Sequence, residues 1–151
     1  GHGSLILFGA EDVSDARRAV EVTLSELNRT FGDVYGSPAG HLEFQYTARA
    51  SHALHKAFGA PLGQAFGITV GAPAAIGVLM ADTAAKAATV VPVGYASPGN
   101  GGTSHSNEVI FMFTGDSGAV RQAIIAAREV GKQLLSTLDG AEIVSSTKPY
   151  I

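Results

Sequence analysis

Cysteine and tryptophan are both absent from the 151 residues. Without cysteine there is no disulfide, no thiol nucleophile and no cysteine-ligated iron–sulfur cluster, a composition that fits a reducing cytoplasm. Positive charge is also scarce: ten Lys and Arg against thirteen Asp and Glu leave a net charge of −3, with no basic cluster. The electrostatic footprint of a nucleic-acid partner is therefore missing. Long hydrophobic runs are missing too. The most apolar stretch, Ala72 to Ala81, is far shorter than the about 20 residues that a membrane span needs. Gly1-His2-Gly3-Ser4 has no charged region leading into an apolar run, so no signal peptide is expected.

What is present suits a packed domain. Hydrophobic residues make up 46% of the chain, enough to bury a core, and 19 glycines suit tight turns and close packing. Leu5 to Phe8 reads as a buried strand ended by Gly9. Asp12 then caps a helix whose apolar residues Val13, Ala16, Val20, Leu24 and Leu27 recur at steps of three and four. Asn28 to Gly40 reads as a linker, Leu42 to Tyr46 as a strand, and Thr47 to Phe58 as a helix stopped by Gly59-Ala60-Pro61. A glycine-rich stretch from Gly63 to Gly71 leads to an expected strand, Ala75 to Met80, and a short helix, Thr83 to Ala88. A last helix starts after Gly115-Asp116, with Ala119, Ala123, Ala127, Val130 and Leu134 on one face. The fold class is mixed α/β (α+β).

Two β-type runs, Val90 to Val93 and Val109 to Phe113, bracket a long polar loop with no fixed charge before Glu108. A hairpin needs only a few turn residues, so a loop this long suggests a purpose beyond reversing the chain. Ser97, Asn100, Thr103, Ser104 and Ser106 offer hydroxyl and amide partners, and the glycines expose backbone N–H and C=O groups. A diol exchanges water for such partners at small net cost, since each bond contributes about 0.5–1.5 kcal/mol net. His105 is the loop's one group that ordinarily titrates near neutrality.

One pattern occurs twice. Leu5 to Arg18 parallels Ile110 to Arg121: a strand, an acidic cap, then a helix with arginine one turn in. The two copies stand about 103 to 105 residues apart, roughly one small domain. Some 65 residues of strand and helix precede the second copy and four precede the first, so the expected reading is the end of a tandem duplication lacking most of its first repeat.

Sharper local readings fall to simpler ones. Gly115-Asp116-Ser117-Gly118 spells the tetrapeptide around the nucleophile of chymotrypsin-like proteases, but between a strand and a helix Asp116 and Ser117 are good N-cap residues. His52 and His55 share a helix face, yet a zinc site would have to recruit His41, His105 or a carboxylate. The glycine clusters Gly67 to Gly77 and Gly99 to Gly102 fit neither a phosphate loop nor the dinucleotide fingerprint. No carboxylate pair stands out for acid–base work. No catalytic residue, metal or cofactor is expected.

The stretch Ala81 to Leu135 is the most specific. It holds an alanine-rich helix with a lysine (Asp82 to Thr89), a strand ending Gly94-Tyr95, the glycine-rich loop, and Phe113-Thr114-Gly115-Asp116-Ser117-Gly118-Ala119-Val120. In that order these motifs resemble a bacterial microcompartment (BMC) shell domain. Gly3 to Leu7, Gly9 to Arg18, Arg29 to Tyr35, Gly40 to Ser51, Phe58 to Gly63 and Thr147 to Ile151 extend the resemblance to tandem-domain shell proteins of propanediol-utilisation compartments.

The resemblance implies a circularly permuted domain, two per full subunit, in a homotrimeric pseudo-hexagonal tile. Residues 1–39 would be the C-terminal strand and helix of a first domain plus linker, 40–140 a second domain, and 141–151 a tail. It implies a pore lined by Ser97, Pro98, Gly99, Asn100, Gly101, Gly102, Thr103, Ser104 and His105, with His2 from the equivalent loop of the first domain. Lys86 matches the lysine that joins neighbouring tiles. Implied partners are other shell proteins and small polar metabolites such as 1,2-propanediol or glycerol, with no nucleic acid or membrane, in a microcompartment shell within the cytoplasm. Plainer readings stand beside these: Lys86 as a solvated helix residue, the loop as a connection, and the whole as a trimeric small-molecule-binding regulatory module.

Overall fold

A computed structural model describes residues 6–30, 33–97, 107–139 and 144–145. The chain divides into two compact units, residues 1–31 and 32–151. The first unit contains helix α1, Val13–Thr30, with Asp15 in its first turn and Arg29 in its last, both favourable to the helix dipole. The strand expected at Leu5 to Phe8 is not formed over Ile6, Leu7 and Phe8, and Leu7 is 84% exposed. A strand needs a neighbour for its backbone groups, and the described residues of this unit contain no second one.

The second unit is built on a six-stranded antiparallel sheet in the order β4-β5-β3-β2-β1-β6. In chain order its elements are β1 (Asp33–Ser37), β2 (Gly40–Thr47), α2 (His52–Phe58), β3 (Ala65–Ala72), α3 (Ala74–Ala87), β4 (Val90–Ala96), β5 (Val109–Gly115), α4 (Ser117–Asp139) and β6 (Val144–Ser145). Helices α3 and α4 pack on each other and on β3 and β5, with α4 reaching β2 as well. Leu42, Phe44, Phe111 and Phe113 from the strands meet Met80, Ala84, Val120, Ile124, Ala127 and Leu135 from the helices in the main core. On the opposite face Ala50, Ala60 and Phe66 form a smaller cluster, packed by Leu54, Ile68, Val93 and Met112.

Three expected elements differ. The Asn28 to Gly40 segment, read as linker, contains the end of α1 and strand β1, which pairs with β2 from Asp33↔Phe44 to Ser37↔Gly40. The glycine-rich stretch 63–71, given no element of its own from the sequence, supplies most of β3, and the expected strand Ala75 to Met80 is the first half of α3. Close packing explains both. A Cβ on Gly71 would stand 2.6 Å from the Gly77 Cα, and one on Gly67 would stand 2.8 Å from the Phe113 ring. These glycines mark close approach of backbone and core, not a loop. Helix α2 is also shorter than expected, because Ser51 rather than Thr47 caps it, its Oγ accepting from the Leu54 N–H at 3.5 Å.

Candidate functional site

The polar loop leaves the sheet at the end of β4 and rejoins it at the start of β5, the two strands pairing out to Ala96↔Ile110. Its base is tied by the Ser97 hydroxyl, which donates to the Glu108 carbonyl at 2.9 Å. Pro98, Gly99, Asn100, Gly101, Gly102, Thr103, Ser104, His105 and His2 lie outside the described residues. Of the expected pore residues, Ser97 alone is placed, at the mouth of the β4–β5 connection.

Beside that base the sheet register gathers a histidine and two carboxylate side chains whose meeting the sequence reading missed. His41 on β2 faces Ala72 on β3, and Gly71 faces Val109, so Glu108 and His41 flank the small Ala72 side chain. The His41 Nε2 lies 3.3 Å from a Glu108 carboxylate oxygen and 3.7 Å from one of Glu43. Period-2 alternation puts His41 and Glu43 on one face; only the pairing of β2, β3 and β5 brings Glu108 to them. Among the described residues no group of three or more His, Asp or Glu is placed to hold a metal ion.

Lys86 sits in the last turn of α3, where a cation favours the helix dipole. Its side chain is 74% exposed and its Nζ lies 2.6 Å from the Asp82 carboxylate one turn back. His55 of α2 serves the local architecture, its Nδ1–H donating to the Ala60 carbonyl at 2.9 Å, while His52 is exposed. Gly59 takes φ +70° just after the helix, a conformation that glycine adopts at no steric cost. Asp116 caps α4, its carboxylate accepting from the Gly118 N–H at 2.9 Å, while the Ser117 and Tyr46 hydroxyls share a bond of 2.6 Å. The protease-like tetrapeptide is a helix start.

Two further features were not expected. An apolar pocket of about 270 Å³ opens between α2 and the sheet, lined by Gln45, Tyr46, Thr47, Leu54, Phe58, Phe66 and Ile68. On the helical face, Arg128 pairs with the buried Asp33, and the Lys132 ammonium lies 5.3 Å from the centre of the Tyr35 ring. Burial, and then the Asp33 carboxylate, push the Tyr35 phenol above its ordinary range. Among the described residues no helix is long and apolar enough to cross a membrane.

The family model of the BMC domain matches residues 65–146. The chain belongs to the BMC domain family. This BMC chain is 64% identical over all its 151 residues to the bacterial microcompartment shell protein PduB of Salmonella typhimurium, and that match spans 55% of the relative. The crystal structure of a trimeric bacterial microcompartment shell protein PduB superposes with a TM-score of 0.84 at 54% identity, over 95% of this chain and 62% of that one. EtuB from Clostridium kluyveri superposes with a TM-score of 0.83, also at 54% identity, over 93% and 61%. The BMC chain thus spans about half the length of the curated Salmonella relative it matches.

Proposed function

We propose that this chain forms part of a structural, non-enzymatic shell protein of a bacterial microcompartment for 1,2-propanediol or glycerol utilisation, in the cytoplasm. The observation that carries the reading is the 64% identity, end to end along this chain, with a shell protein so named. Three subunits, each contributing a tandem pair of BMC domains, would close into a pseudo-hexagonal tile, a cyclic arrangement that gives six similar wedges around one axis. Residues 1–39 would end the first domain and its linker, 40–140 form the second, and 141–151 a tail. The internal repeat supports this division. At the repeat spacing Val20 and Leu24 of α1 correspond to Ala123 and Ala127 of α4, which are fully buried, whereas Val20 and Leu24 are exposed. Helix α1 carries the apolar face that α4 buries on its sheet.

In this reading Ser97 to His105, with His2, line a pore for small polar metabolites, and Lys86 meets neighbouring tiles. The uncharged, hydroxyl-rich loop sequence supports passage of a neutral diol. Assembly tests the whole proposal. Produced with companion shell proteins, the full-length protein should form trimers that enter flat sheets or closed shells visible by electron microscopy. A discrete oligomer that stays out of such shells and changes partner affinity on adding diol would identify a regulatory module instead.

A further inference from the structure

We draw no further inference here: the strongest candidate, the apolar pocket between α2 and strands β2 and β3, is part of an open sheet face, and nothing in the structure shows what covers it.

Discussion

The Arg128 guanidinium on α4 lies 2.5 Å from the Asp33 carboxylate on β1, with the two side chains only 12% and 2% exposed. This pair fastens the long helix to a strand near the sheet's edge, on which α4 packs less extensively than on β2 and β3. Desolvating two charges costs much of what their attraction returns, so the pair adds little over a well-packed apolar replacement. Removing one partner is different, because the other stays buried without this opposite charge beside it. Arg128→Met or Asp33→Leu should each destabilise by about 3–5 kcal/mol, and the double variant by much less than the sum. Chemical-denaturation midpoints for the cycle check this; additive losses would show the two groups to be independent.

Tyr35, two residues along β1, gives a pH dependence with a definite sign. Its phenol is held above its ordinary value by burial and then by Asp33. A raised folded-state value means that its contribution is complete below the unfolded value of about 10 and is lost as pH climbs through the folded value. Below pH 9 the chain and its Tyr35→Phe variant should show parallel stability profiles. Above pH 10 the parent should lose stability faster, since its unfolded state ionises first. Denaturation midpoints measured from pH 8 to 11 on both proteins decide it.

The glycines of β3 and α3 carry a third expectation. A Cβ on Gly77 would lie 2.6 Å from the Val109 Cβ and 2.7 Å from the Gly71 carbonyl oxygen. Alanine in a helix interior gains about 1 kcal/mol of propensity over glycine, but here the methyl meets backbone and a buried β-branched side chain. Overpacking of this kind costs about 1–3 kcal/mol, so Gly77→Ala should be net destabilising. Gly36→Ala, on a strand where a Cβ meets nothing within 4 Å, is the control and should leave thermal stability nearly unchanged.

Much of this fold was legible because local pattern and tertiary role agree. The apolar face of α4 recurs at helical spacing and buries Ala123 and Ala127, with Val130 and Leu134 half-buried against the same core; β5 is a continuous β-type run paired on both sides, between β4 and β3. Legibility failed where packing overrode local signals. Gly67 and Gly71 look like loop residues until Phe113 and Gly77 are seen against them. The chain at β1 looks like linker because its most buried residue, Asp33, is a carboxylate whose partner lies 95 positions away. The base of the candidate site was hidden for the same reason: His41 and Glu108 are 67 residues apart in sequence and meet only through strand register.

The proposed tile-edge role of Lys86 lets folding and assembly be tested apart. An exposed i,i+4 pair with Asp82 is worth about 0.3–0.5 kcal/mol, so Lys86→Ala should barely move the melting temperature. In the proposed role its long, exposed stem would carry the ammonium to a neighbouring tile's backbone carbonyls. In the full-length protein the same substitution should leave the trimer intact and reduce sheet formation. Sheets of unchanged extent by electron microscopy would leave Lys86 as an ordinary solvated helix residue.

The loop between β4 and β5 offers the functional test. It rises from a base already tied by Ser97 and Glu108, so substitutions in its glycine centre need not disturb the sheet below. Gly101→Trp with Gly102→Trp adds bulk where the sequence has none. If the loop lines a route for diol, intact shells carrying this variant should consume externally supplied diol more slowly, while trimer and shell yield stay at the parent level. Gly101→Asp separates size from charge: a carboxylate added to an uncharged passage repels anions at short range and leaves a neutral diol little affected. Flux of a carboxylate metabolite should therefore fall more than flux of diol in that variant. Equal flux in all three proteins, with shells intact, would make the loop a connector and nothing more.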